Sequence, residues 1–288
     1  MADKRIGITT DCGCDLPDEY LIANDIELVY FYMTTDRGRF RDREEMSSEN
    51  VIEYFENGGS RIMTEAPPEN EYETIFKRRL ERYDEIIHIS ISSGVSNSYK
   101  NAVAAREKLG EAKDKVHIVD SMHLSTGLGH IVIKAVEMRS GGSSAEEIIN
   151  SINAMRKYVS TTFISRSTDY LYRNGRLGKH SHQLCHLLHI HPILTLRDGK
   201  IVLKSVEFGN MDMASRRYIR KELRKISSID KHRLFITHVG CRLKKITEIK
   251  EEIAKKGSFD EVIVTKASAT ISSNCGADTF GLLFVYKY

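Results

Sequence analysis

The stretch Ile86-Ile87-His88-Ile89-Ser90-Ile91-Ser92-Ser93-Gly94-Val95-Ser96-Asn97-Ser98-Tyr99 decides the fold of this chain. Ile86, Ile87, Ile89 and Ile91 form a β-branched run of strand length, and the Ala-rich segment Lys100 to Leu109 after it reads as helix. Between them Ser92, Ser93, Gly94 and Ser96 form a hydroxyl cluster. A strand that empties through such a cluster into a helix gathers hydroxyls and backbone N–H groups at the carboxyl end of the strand, a place to hold a small anion. Ser is also a preferred N-cap, so Ser96 or Ser98 can equally be read as satisfying the first turn of the helix.

The same unit recurs on either side. Residues 5–10 read as a buried strand ending at Asp11; Asp11 to Asp15 are either strand-end functional groups or caps of a helix starting near Pro17. Ile26 to Thr34 reads as a second strand, Met46 to Asn57 as a helix opened by Ser47 or Ser48, and a helix runs through Tyr72, Phe76 and Leu80. Val116 to Ser121 is a further strand, followed by Ser125, Gly127 and Gly129 and a helix over Ile131 to Arg139. Successive strand-turn-helix units predict a parallel sheet flanked by helices, with ligands beyond the carboxyl ends of the strands, where Asp11, the serine cluster and Asp120 would meet. Ser144 and Glu147 make a capping box for a helix to about Lys157. Beyond it the pattern changes. Strands over 161–167 and 193–203, the latter a hairpin turning at Asp198-Gly199, precede helix 213–226, strand 233–239, helix 246–256 and strand 262–266. The expectation is an α/β N-terminal domain over residues 1–158 and an α+β C-terminal domain over 159–288.

Composition restricts the function. The chain has 288 residues, 41% hydrophobic and 29% charged, as in an ordinary globular protein long enough for two cores. Its 43 Lys and Arg are interspersed with 40 Asp and Glu, so no basic stripe argues for nucleic acid. The opening Met1 to Ile8 lacks the apolar run of a signal peptide, and no stretch approaches the roughly 18 apolar residues of a spanning helix. Five scattered cysteines without CxxC spacing fit reduced thiols. A cytoplasmic protein without stable membrane insertion is expected.

Further motifs stand in order along the chain: Thr10-Asp11-Cys12-Gly13-Cys14-Asp15-Leu16-Pro17, Arg61-Ile62-Met63-Thr64-Glu65-Ala66-Pro67-Pro68, the serine cluster, Tyr170 to Leu177 with Gly175-Arg176, His191 to Lys200, and Asn274-Cys275-Gly276 to Gly281. Together they resemble the DegV family of fatty-acid-binding proteins over essentially the whole chain. The resemblance implies a DegV-like fold with an apolar tunnel between two domains. Carried over motif by motif, it places the fatty-acid carboxylate on Thr64 and Ser96, with Ser93 the nearest substitute. Asn274 stands where the family usually has His; it can donate to a carboxylate but cannot carry charge. Glu65 beside Thr64 would repel an anionic head group unless it points away. Arg176 matches a turn Arg that offsets head-group charge or meets a partner, or is a surface Arg after Gly175. The implied role is non-catalytic: the protein presents a long-chain fatty acid to a separate fatty acid kinase subunit, which makes acyl phosphate for phospholipid synthesis. No cofactor other than the bound fatty acid is implied.

Two other classes compete. Lys179 to Pro192 contains His180, His182, Cys185, His186, His189 and His191; on a helix His182 and His186 share a face, so a metal site or metal-dependent enzyme is one alternative. No carboxylate accompanies them, and the spacing matches no standard zinc site. Serine catalysis is the other. The chain has no G-x-S-x-G elbow, and neither Gly175-Arg-Leu-Gly178-Lys179 nor Gly127-Leu-Gly129 completes a nucleotide-binding turn.

Overall fold

A computed structural model describes residues 4–166, 170, 172 and 190–288. Arg176 and the histidines from His180 to His189 lie outside the described residues.

Strands β1 (Ile6–Asp11), β2 (Ile26–Val29), β6 (Glu85–Ser90) and β7 (Val116–Asp120) form a parallel sheet in the order β2-β1-β6-β7. Ile6, Ile8, Ile86, Ile87 and Ile89 are buried, as expected for a parallel sheet covered on both faces. Helices α3 (Glu69–Leu80) and α4 (Ser98–Glu107) cover one face through Tyr72, Phe76, Ala102 and Ala105. The expected strand Ile26 to Thr34 is in fact two. The chain leaves the parallel sheet at Tyr30-Phe31, where the Phe31 N–H donates to Cys12 Sγ. It then enters a three-stranded antiparallel sheet of β3 (Tyr32–Thr35), β4 (Gly38–Arg41) and β5 (Met63–Glu65). Helix α2 (Ser48–Glu56) follows β4 and opens on a Ser47/Asn50 capping box.

From Val159 onward every strand among the described residues belongs to one six-stranded mixed sheet. It holds β8 (Val159–Ile164), β9 (His191–Arg197), β10 (Lys200–Glu207), β11 (Ile229–His238), β12 (Glu261–Lys266) and β13 (Phe280–Tyr286), in the order β10-β9-β8-β13-β11-β12. The β9-β10 hairpin turns at Asp198-Gly199, both with positive φ, as a two-residue loop requires. Helices α7 (Met211–Glu222) and α8 (Leu243–Ala254) belong to this half. The architecture is α/β: a parallel sheet flanked by helices joined to a mixed sheet.

Helix α5 (Ser125–Ser140) lies between the two sheets, and α6 (Ala145–Met155) packs beside it. Most of its residues are buried, polar Ser125, Thr126 and His130 included, as in a helix that belongs in an interior. One apolar cluster accordingly runs from Ile8 and Ile89 through Leu128, Ile131, Val132 and Val136 to Phe235, Leu283 and Val285. The helix begins six residues before the expected Ile131. Gly127 and Gly129, which read as a turn, are helical: a Cβ at Gly127 would lie 2.0 Å from Thr161 Oγ1, and one at Gly129 would lie 2.8 Å from Leu16 Cδ2. Glycine permits the close approach.

Polar contacts then fix one half against the other. Asp15 accepts from Ser125 Oγ at 2.6 Å and from the Ser268 N–H at 2.8 Å. Asp42 accepts from the N–H groups of Ala269 (2.8 Å) and Thr270 (3.0 Å), so a carboxylate distant in sequence caps helix α9 (Ala269–Cys275). At the far side Ser92 Oγ donates to Gly199 O at 2.7 Å, and a Cβ on Gly94 would come within 2.5 Å of that carbonyl.

Two predictions follow from these contacts. Burial pushes the Asp15 carboxyl up to about 7, against hydrogen bonds that favour its ionised form. A raised acid holds its proton in the fold where the unfolded chain has released it, so stability is fully present below the ordinary value near 3.8 and is lost as pH rises to about 7. Asp15→Asn is expected to flatten the decline of thermal midpoint between pH 5 and pH 7.5; parallel profiles for the two proteins would contradict this. Gly94→Ala is expected to cost ~1–3 kcal/mol by forcing the serine loop off the hairpin. An unchanged melting temperature would show that the loop does not need the contact.

Candidate functional site

The loop after β6 is anchored by Asp11. Its carboxylate, fully buried at the end of β1, accepts from Ser90 Oγ at 2.9 Å, the Ile91 N–H at 2.8 Å, Ser98 Oγ at 2.7 Å and Tyr72 OH at 2.7 Å. Asp11 therefore does not cap the following helix; it holds both ends of the serine loop and ties α3 to α4. Asp120, at the end of β7, accepts from the N–H groups of Ser93 (3.3 Å) and Met122 (2.8 Å). The strand-end groups thus meet as expected.

Their chemistry differs from expectation in one respect. The N–H groups of Ser93, Gly94, Val95, Ser96 and Ser98 are taken by Asp120, Ser92 Oγ, Ser92 O, Ser92 O and Ser96 Oγ. A ligand at this loop meets side-chain hydroxyls rather than those N–H groups. Ser96 Oγ accepts from the Ser98 N–H at 3.1 Å, a local turn that satisfies the first N–H of the helix, whose N-cap Asn97 makes no side-chain cap. A hydroxyl accepts twice and donates once, so Ser96 still has its O–H to offer. The capping and ligand-binding readings are compatible.

Thr64 lies in the middle of β5, paired with Met33. Asn101 Nδ2 on α4 donates to Pro67 O at 2.7 Å and so draws the segment after β5 toward the serine loop. The carboxylate of Glu65 meets Arg39 Nη2 at 3.1 Å and the Thr34 hydroxyl at 3.5 Å, which neutralises it on the three-stranded sheet. On the opposite wall, Asn274 Nδ2 donates to Thr270 O at 2.8 Å, one turn back in α9.

Thr64, Ser93, Ser96 and Asn274 line one cavity of about 520 Å³. This is within the ~300–1,000 Å³ range of small-molecule sites. Phe31, Ile91, Leu124, Phe163, Ile201 and Ile271 form its apolar surface. Among the described residues that line it, Glu65 is the one charged group and no Lys, Arg or His occurs; burial pushes the Cys275 thiol up to about 12, so it stays neutral. Leu124, Phe163, Ile271 and Cys275 also line a narrower space of about 30 Å³ reaching between α5 and the six-stranded sheet. Hydroxyls at that end are bonded to protein: Thr161 Oγ1 donates to His123 Nδ1 at 2.9 Å, Thr279 Oγ1 donates to Cys275 O at 2.9 Å, and Thr237 pairs with Thr126 and Thr265. Burial pulls His123 down to about 4, which leaves its neutral ring to accept from Thr161 and donate to Arg156 O. The cavity has a hydroxyl-rich rim and adjoins a narrower space whose open surface is mostly apolar.

Sequence reasoning missed Thr270 and Ile271 of α9 and the apolar residues Phe31, Leu124, Phe163 and Ile201. They carry no motif; only strand pairing and helix packing bring them together. As for the metal alternative, His191 Nε2 lies 3.0 Å from Gly209 O, and no group of three potential ligands occurs among the described residues. Among those residues no helix is long and apolar enough to cross a membrane.

Comparison with known proteins gives a consistent answer. A DegV domain-containing protein of Caldanaerobacter subterraneus is 27% identical over 286 residues, covering 99% of this chain and 100% of that one. A structure described as "Fatty Acid Binding of a DegV family Protein from Thermus thermophilus" superposes with a TM-score of 0.90 at 24% identity, covering 98% of this chain and 100% of that one. A DegV family protein from Eubacterium eligens, described as loaded with heptadecanoic acid, matches at 0.85 and 22% over 98% and 100%. At these identities the structures establish a shared fold. A family model described as "Uncharacterised protein, DegV family" matches residues 5–287, and the chain belongs to the DegV family.

Proposed function

We propose that this protein binds a long-chain fatty acid in the cavity between its two halves, residues 1–158 and 159–288, as a non-catalytic lipid-binding protein. Thr64 and Ser96 hold the carboxyl head group, with Ser93 and Asn274 beside them. The observation that carries the reading is the polarity gradient of one cavity, from hydroxyls contributed by distant segments to an apolar far end. The family membership and the fatty acids named for the Thermus and Eubacterium proteins support it.

The energetics fit such a ligand. Burying ~15 methylenes at about 0.8 kcal/mol each contributes on the order of 12 kcal/mol before the costs of association. A hydroxyl contact to the head group contributes ~0.5–3 kcal/mol, least where the head group is neutral. The tail sets affinity and the hydroxyls set orientation. Chemistry on the head group belongs to a partner. We assign that role to a fatty acid kinase subunit in the cytoplasm, which converts the presented acid to acyl phosphate for phospholipid synthesis.

Native mass spectrometry of the purified protein is expected to show a co-purified mass of fatty-acid size that is released on denaturation; a ligand-free protein that also takes up no added fatty acid would contradict the reading. Thr64→Val with Ser96→Ala is expected to weaken binding by roughly tenfold or more while leaving the melting temperature within a few degrees. Unchanged affinity would remove both residues from the head-group site.

A further inference from the structure

Asn274 carries one side-chain acceptor that the protein does not use. Its Nδ2 donates to Thr270 O at 2.8 Å, and its Oδ1 is buried without a hydrogen-bond partner. The orientation of the amide is settled by that first bond, because the reverse orientation would set Oδ1 against the Thr270 carbonyl oxygen. A buried acceptor without a donor is costly, and the residue lines the ligand cavity. An ionised carboxylate cannot meet the need, since it is acceptor-only. An undissociated carboxyl group, or an alcohol, brings the missing O–H.

The electrostatics point the same way. Among the described residues, no cation lines the cavity. Among the described residues, the lining carboxylate Glu65 is paired with Arg39, and farther along the chain Glu49 pairs with Lys266 and Asp278 with Arg166. Asp15 and Asp42 accept backbone N–H groups at the amino end of α9, Asp120 accepts from Ser93 and Met122, and Lys200 beside Gly94 is exposed. A carboxyl group entering a partly desolvated site retains its proton more readily.

We propose that the cavity takes its ligand through a neutral head group that both accepts and donates, with the undissociated acid accepting from Thr64 and Ser96 and giving its O–H to Asn274 Oδ1. This rests on the fatty-acid reading above and adds the protonation state of the bound ligand. Uptake at neutral pH then carries one proton in with the acid, and the proton leaves when the head group returns to water.

The test compares hexadecanoic acid, hexadecan-1-ol and methyl hexadecanoate, each below its solubility limit, by displacement of a fluorescent apolar probe from the intact protein between pH 6 and pH 8. The alcohol is expected to bind at least as tightly as the acid at pH 8 and at least tenfold more tightly than the ester. The acid is expected to tighten up to about tenfold for each unit of pH lowered, with the alcohol unchanged. Because the alcohol does not titrate, the ratio of the two affinities cancels titration of the protein's own groups, Asp15 included. Asn274→Leu should erase the advantage of the alcohol over the ester. An acid that outcompetes the alcohol at pH 8, with affinity flat or rising with pH, would overturn the inference and leave the fatty-acid reading standing. Failure of all three ligands to bind would overturn both.

Discussion

Three carboxylates near the amino end of the chain, Asp11, Asp15 and Asp42, fix the walls of the cavity. Each is buried, and each accepts hydrogen bonds from a segment far away in sequence. Asp11 holds the serine loop between Ile91 and Ser98; Asp15 and Asp42 hold the amino end of α9. A buried carboxylate is costly unless several donors converge on it, and that requirement makes the placement of both walls a condition of folding. The rim of the site is thus set by groups that do not themselves line the cavity.

The interior is organised differently. Helix α5 is buried on nearly every side and joins the two sheets through one continuous core, so neither half is free to slide past the other along that face. The cavity opens where this packing stops, between the serine loop, the β9-β10 hairpin and α9. The two ends of the cavity therefore draw on separate parts of the structure: close packing governs the far end, and a few hydroxyls and an amide govern the rim.

Much of the architecture was readable in local chemistry. The Ile86 to Ile91 run, the Ser144/Glu147 capping box and the Asp198-Gly199 turn each specify one element through a mechanism that acts over a few residues. Elements governed by distant partners were not. An apolar run such as Ile26 to Thr34 does not reveal where a chain passes from one sheet to another. The central strand Phe280–Tyr286 is buried along most of its length and carries no alternation to mark it. Helix α9 is short and rich in small polar residues, with no amphipathic stripe. Glycines at 127 and 129 imitate a turn because the signal for close packing and the signal for a bend are the same residue. At the site, the order of motifs placed Thr64, Ser93, Ser96 and Asn274 on one ligand, and all four line the cavity. The anchoring carboxylates are different: a lone Asp looks alike as cap, catalyst or clasp until its partners are known.

The central claim is that hydroxyls from two separate segments meet one guest at the mouth of an apolar channel. A crystal structure of the protein with a bound long-chain acid tests it most directly. The account predicts continuous elongated density with the head group within hydrogen-bonding distance of Thr64 Oγ1 and Ser96 Oγ and the tail running toward Phe163 and Ile271. A head group bound at the apolar end, or a ligand seated outside this cavity altogether, would contradict it.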